Sequence, residues 1–258
     1  MYRTILCIFL FLGLVNPIFA NKLEEIKKAG VLKAGVKHDY EPFGYKNKDG
    51  KVVGFDLDLL AYIAKKLGVK LITQRVTSKN RIDMVANGTI DIAAASMTHK
   101  VARDANIDFT ISYFFDGQTV LTRSNIRTKK IRGFSGKKIG AIEGSTSGPN
   151  FKKHVPKARM IYYTSYDDAL KDILNGSLDG MTTDSVWCIT KAKHNKELRV
   201  INEKMSFEPY GMGVPENESD FRDAINFAIQ DAVKDGTYAK LYEKWFQKYP
   251  ERLPEVWP

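Results

Sequence analysis

An α/β architecture is the fold class this sequence predicts, and three observations predict it. Short apolar runs alternate with amphipathic stretches along the chain, the strand–helix–strand rhythm of layered folds with largely parallel sheets. The segment Asn87-Gly88-Thr89-Ile90-Asp91 recurs as Asn175-Gly176-Ser177-Leu178-Asp179, each time after an amphipathic helix and before a short strand. Shared context on both sides points to two similarly built lobes, although Asn-Gly alone is common turn chemistry. The 258 residues, 43% of them hydrophobic, suffice for one large or two ordinary domains. Wholesale disorder and multi-span membrane architecture are excluded by the same balance.

Residues 1–20, MYRTILCIFLFLGLVNPIFA, place Arg3 before an apolar run from Ile5 to Val15 and end on Ala20 after Pro17. This is the pattern of a secretory signal peptide cleaved after Ala20. The run is shorter than the roughly 20 residues of a spanning helix, and Cys7 lies inside it, which argues against lipidation. Cleavage would leave 258 − 20 = 238 residues, a formal charge of 10 − 1 = +9, and Cys188 without a disulfide partner. The mature chain is expected to be soluble, with no stable membrane insertion.

VLKAGVK (31–37) reads as a strand. FDLDLLAYIAKKL (55–67) sets Phe55, Leu59, Leu60, Ile63, Ala64 and Leu67 on one helical face, with Gly68 as its stop. KLITQRV (70–76) is strand-like, 79–86 helical after Ser78 as N-cap, and DIAAAS (91–96) a buried strand. Residues 220–234 and 237–248 form two C-terminal helices separated by Gly236.

A net charge of +10 raises nucleic acid as a partner. The Lys and Arg residues are dispersed, however, with no continuous basic arm interleaved with aromatics, and nucleic-acid binding is not expected. G-x-G-x-x-G, G-x-x-x-x-G-K-[ST] and H-E-x-x-H are all missing from the chain. GSTSG (144–148) departs from the nucleophile elbow because Thr146 holds its central position. His38, His99, His154 and His194 are scattered and Cys188 stands alone, so neither a metal site nor a cofactor is expected.

GVKHDYEPFGYKNKDGKVVGFDLDLLAYIAKKLGV (35–69), NRIDMVANGTIDIAAASMTH (80–99), VARDANIDFT (101–110), GKKIGAIEGSTSG (136–148) and GTYAKLYEKWF (236–246) together resemble the periplasmic amino-acid-binding proteins of ABC importers (solute-binding protein family 3). Within that family TSKNRI (77–82) looks most like the aspartate/glutamate binders. The resemblance implies two α/β lobes joined by two hinge strands, with one amino acid held between them. Lobe 1 would comprise residues 22–115 and 211–258, and lobe 2 residues 116–210. It further implies a periplasmic monomer, no enzymatic activity and an ABC permease in the inner membrane as partner.

Burying a free amino acid requires counter-charge and hydrogen bonds for its ammonium and carboxylate. By resemblance Arg103 is the α-carboxylate clamp, a task that suits a guanidinium because it can make two parallel bonds. Ser96 and Thr98 resemble residues that bind both α-groups, and Asp184 the partner of the α-ammonium, although Asp is also a frequent N-cap. Ser145, Thr146 and Ser147 precede Gly148-Pro149 and a helical stretch, where Pro suits a first helical position and free N–H groups attract a carboxylate. Arg81 in the first turn of its helix opposes the helix dipole, and a bound anion would compensate. With Lys37 at a family position facing the ligand, the cations Lys37, Arg81 and Arg103 exceed Asp184, which predicts a side-chain carboxylate, with Ser78 as a further donor. Asp83 stands where acidic-ligand relatives carry Pro. Tyr40, before Pro42-Phe43, forms an aromatic wall, and Tyr166 contacts acidic ligands in similar proteins.

The expected function is thus capture of aspartate and/or glutamate by hinge closure. The alternatives are a neutral polar amino acid such as glutamine, or a dehydratase-type enzyme on the same fold. Glu143 and His99 are the nearest acid–base candidates for the latter, with no partner visible in the sequence.

Overall fold

The computed structural model describes residues 21–257, so the signal-peptide reading lies outside the described residues. Two mixed sheets organise the chain. The first orders its strands Lys70–Arg75, Val31–Val36, Ile92–Thr98, Glu208–Val214 and Asp108–Phe109, with Phe114–Asp116 also paired to Glu208–Val214. The second orders Arg159–Tyr163, Lys138–Ile142, Gly180–Asp184, Gln118–Arg123 and Leu198–Val200. In each, three parallel strands meet an antiparallel fourth, Glu208–Val214 in one and Gln118–Arg123 in the other. The expectation of largely parallel sheets therefore covers only half the architecture. Gln118–Arg123 follows Phe114–Asp116 through Gly117 alone, with no crossover helix to restore a parallel direction.

The repeated pentapeptide does the same work twice. Asn87 and Asn175 each accept from the backbone N–H two residues on, and Gly88 and Gly176 take positive φ. Asp91 accepts from the Lys33 N–H and Asp179 from the Lys138 N–H, each tying its strand to a parallel neighbour. Sequence echo and spatial echo coincide because Asn-Gly supplies the left-handed turn and the aspartate closes it onto the sheet.

Helix Phe55–Leu67 buries Phe55, Leu59, Leu60, Ile63 and Ala64, and Gly68 ends it at φ +71°, where an L side chain would be strained. Asp56 also lies on that face, fully buried. An unforeseen helix, Lys22–Ala29, starts on the Asn21 side chain and packs Ile26 inward. All seven residues of Ile92–Thr98 are buried, as a strand covered on both faces requires. The C-terminal helices Ser219–Lys234 and Thr237–Phe246 close over the first sheet, and Phe246 joins Phe43, Phe55 and Phe114 in one aromatic cluster. Among the described residues no helix is long and apolar enough to cross a membrane.

Candidate ligand-binding cavity between the lobes

The chain passes from the first sheet to the second at Asp116–Gln118 and returns between Val200 and Glu208, and a small cavity lies between the two. Lys37, Ser78, Arg81, Ser96, Thr98, Ser145, Thr146, Ser147, Tyr166 and Asp184 line it, together with Gln118 and Thr183. Its volume is about 10 Å³, the room of about one water. An amino acid does not fit in this volume.

Strand ends and helix starts converge here. Lys37 follows the first strand, and its ammonium sits 3.9 Å over the Tyr40 ring and 3.4 Å from the Tyr166 hydroxyl. Burial, with Arg81 nearby, pulls its pKa down to about 7. Ser96 breaks the strand geometry with φ +49°, a strained value for a serine. This turns the Ala95 and Ser96 carbonyls onto the Arg81 guanidinium, at 2.5 and 3.3 Å. The Asp56 carboxylate accepts from the Ser96 N–H and the Tyr113 hydroxyl, and its burial raises its pKa to about 7.

Arg81 is the first residue of a helix, Arg81–Ala86, that begins two positions later than expected. Ser78 is not its N-cap: Thr77 and Asn80 bond each other across the preceding turn and leave Ser78 free. The Ser78 hydroxyl and Arg81 Nε are both buried without a partner. A buried donor left unmatched costs about 1–3 kcal/mol, so these two mark a place for an acceptor. The dipole penalty expected for Arg81 is offset by the two carbonyls its side chain reaches.

Across the cavity, Asp184 Oδ2 accepts from the Tyr40 hydroxyl at 3.0 Å and the Tyr210 hydroxyl at 2.5 Å. Asp184 holds the N-cap position of helix Ser185–His194, yet its side chain makes no capping bond. Asp116 does that work, accepting from the Val186 N–H and the Ser185 hydroxyl. Asp184 Oδ1 takes no hydrogen bond from any described residue. Thr146 precedes helix Ser147–His154, which places Pro149 third rather than first, still within the turn whose N–H groups lack helical partners.

Arg103 and Tyr40 do not line the cavity. Arg103 donates to the Thr98 carbonyl at 2.7 Å and, across the lobes, to the Gly144 carbonyl at 2.9 Å. Burial and the neighbouring Arg81 bring its pKa down to about 9. Tyr40 lies one layer back, beneath Lys37 and bonded to Asp184.

The charge count read from the sequence needs correction. Glu208, 2% exposed, accepts from the Thr98 and Thr146 hydroxyls at 2.6 and 2.9 Å and from Asn150. With Asp56 it balances cations that looked in excess. The start of a strand brings in Glu208 and the start of a helix brings in Asp56, and only Asp56, a polar residue on an apolar helix face, left a local signal. Glu143 and His99 also have partners after all: Glu143 pairs with Lys79 at 2.8 Å and His99 with Asp104 at 3.0 Å, both outside the cavity lining.

What remains unmatched at the cavity is a pair of donors, Arg81 Nε and the Ser78 hydroxyl, beside a Lys37 ammonium bonded only to Tyr166, and one acceptor, Asp184 Oδ1. Two lobes, two chain crossings and a polar cavity of paired opposite charge define a receptor for a small zwitterion. Residues 32–248 match the model of the bacterial extracellular solute-binding proteins, family 3, and the chain belongs to that family. It is 36% identical over 206 residues to a glutamine-binding protein of Geobacillus stearothermophilus, covering 78% of this chain and 79% of that one. It is 26% identical to a cyclohexadienyl dehydratase of Pseudomonas aeruginosa, covering 73% and 72%. Among solved structures, an ancestral arginine-binding protein bound to glutamine superposes with TM-score 0.81 at 35% identity, covering 85% and 99%.

Proposed function

We propose that this chain captures an amino acid with a side-chain carboxylate, glutamate or aspartate, and hands it to an ABC importer. One observation carries the acidic reading: Arg81 and Ser78, whose Nε and hydroxyl are buried donors without acceptors, line the same cavity as Lys37. A carboxylate there would satisfy all three groups, while Asp184 Oδ1 pairs with the α-ammonium. The α-carboxylate would fall to Thr98, Arg103 and the start of helix Ser147–His154, once opening frees the Arg103–Gly144 contact. The pivot comprises the two connections, Asp116–Gln118 and 201–207, with lobe 1 as residues 22–115 and 208–258 and lobe 2 as 119–200. The return lies a few residues before the expected 210/211 because Glu208–Val214 pairs wholly within the first sheet. Each lobe carries part of the charge complement, so bound ligand favours the closed form.

Glutamine is the second reading, favoured by the charge balance that Glu208 and Asp56 restore and by the name of the Geobacillus relative. Calorimetry of refolded, ligand-free protein against Asp, Glu, Gln, Asn, Lys and His separates the two. Glutamate or aspartate is expected to bind at least tenfold more tightly than glutamine, the worth of about one charge-assisted bond. Glutamine binding equally well would sink the acidic reading. Arg81→Ala should weaken acidic ligands far more than neutral ones.

Proton exchange gives an independent check. Lys37 is solvated and protonated in an open cleft, whereas closure without a countering carboxylate brings its pKa to about 7. At pH 8, closure on glutamine should therefore release close to one proton, so affinity for glutamine rises with pH from 7 toward the ordinary lysine value. Closure on glutamate keeps Lys37 charged and should release almost none. Calorimetry in buffers of different ionisation enthalpy reads the difference, and equal release for both ligands would remove Lys37 from the side-chain subsite.

An enzymatic reading would need an acid or base set against a substrate, and of the candidates named from the sequence Glu143 pairs with Lys79 and His99 hydrogen-bonds Asp104, both outside the cavity lining. Turnover of prephenate or arogenate by the purified protein would overturn the transport reading.

A further inference from the structure

We propose that a groove on the far side of the hinge is a second binding site, for an organic anion with an aromatic or apolar body, and that filling it favours closed lobes. The groove has a volume of about 970 Å³ and is lined by both lobes and both connections. Its size is that of small-molecule pockets. Its character differs from that of the amino-acid cavity: aromatic and aliphatic side chains make up much of the lining, and its basic residues outnumber the acids Glu41, Asp116 and Glu251.

Tyr242 and Trp245 form one wall and Val186 and Ile189 the other, with Phe115 and Phe207 at the connections between them. Ile189 is 54% exposed and Phe207 61% exposed, a large apolar area to leave in water. Phe115 and Phe207 stack at 5.9 Å, and the Arg252 guanidinium lies 4.1 Å over the Phe115 ring and 5.6 Å from that of Phe207. Arg252 has no carboxylate within ion-pair distance among the described residues. Lys193, on the other lobe, bonds only the Gln247 amide oxygen. Lys204, Lys244 and Lys248, by contrast, each have an acid: Asp116, Asp58 and Glu251. Two cations without counter-ions on opposite walls, over exposed aromatic rings, are complementary to a negatively charged head on an apolar body.

Coupling to closure follows from the lever geometry and rests on the hinge reading above. Asp116 and Ser206 line the groove while Gln118 lines the amino-acid cavity, so the connections lie between the two. Separating the lobes at the cavity swings the groove walls toward each other. The groove is at its widest when the cavity is shut, and a molecule bridging its walls opposes opening.

The probe is 8-anilinonaphthalene-1-sulfonate, an aromatic sulfonate whose fluorescence rises on burial. Titration into purified protein should show one saturable site, weakened about tenfold by Arg252→Glu and by Ile189→Ser, the loss of one charge-assisted or apolar contact. Neither variant should alter amino-acid affinity in the absence of the probe. Saturating probe should tighten amino-acid binding, and saturating amino acid should tighten probe binding by the same factor. Non-saturable binding, or equal binding by both variants, overturns the site. Competition between probe and amino acid would place the probe in the amino-acid cavity and overturn it equally. If no amino acid binds, the saturable site and its variants still decide the groove.

Discussion

Gly144→Ala is expected to lower ligand affinity about a hundredfold or more while costing the ligand-free protein only a few degrees of melting temperature. A Cβ at Gly144 would stand 2.3 Å from the Ser78 carbonyl oxygen and 2.7 Å from the Lys79 Cα, both backbone atoms of the opposite lobe. Neither can yield without shifting the wall that presents Ser78 and Arg81. The clash exists only when the lobes are shut, so it penalises the ligand-bound form and spares the open one. Its φ of +75° adds a local strain of about 1 kcal/mol in both forms. Gly176→Ala is the control: φ there is +88°, but the nearest atoms to an added Cβ are at 3.9 Å, on the flexible Arg123 side chain. It should lower the melting temperature similarly and leave affinity unchanged. Calorimetry and thermal melts of both variants make the test, and an unaltered affinity for Gly144→Ala would mean that ligand binding does not require this closed arrangement.

Asp184→Asn is expected to cost roughly 3 kcal/mol or more of amino-acid binding, about a hundredfold, with little change in the fold. The amide oxygen can still accept from Tyr40 and Tyr210, so the support behind the site survives. What disappears is the negative charge that Oδ1 offers an ammonium in a water-poor cavity, and an unpaired buried charge is penalised heavily. The loss should be equal for glutamate and glutamine, because both carry the same α-ammonium. A variant that discriminated between them would place Asp184 in the side-chain subsite instead. Tyr210→Phe, which removes one hydrogen bond to Oδ2 and no charge, should cost about 1 kcal/mol.

Much of the site was legible in the sequence because its residues sit at strand ends and helix starts marked by local signals. Lys37 closes an apolar run, Ser96 and Thr98 end another, and Thr146 precedes a Gly-Pro helix start. The resemblance over 35–69 and 80–99 then supplied roles that spacing alone could not. Ser78 was expected both as a donor to the ligand and as a helix N-cap, and only the cap role fails, since competition between Thr77 and Asn80 for the turn is a question of geometry. Glu208 and Tyr210 left no trace: each lies at the return crossing, and its partners are more than twenty residues away in the chain.

By itself, then, the sequence determined the periodicities, the repeated Asn-Gly turns, the family and most residues that face the cavity, because these depend on short-range pattern and steric preference. The balance of charge was decided only by the tertiary structure. A carboxylate counts in the electrostatics of a site according to distance and burial, and neither is a property of neighbours in the chain. The net +10 of the whole sequence said nothing about a cavity lined by Lys37, Arg81 and Asp184, with Arg103, Asp56 and Glu208 buried behind its lining. Folding brought those six groups together, and the donors it left unmatched now point to the ligand.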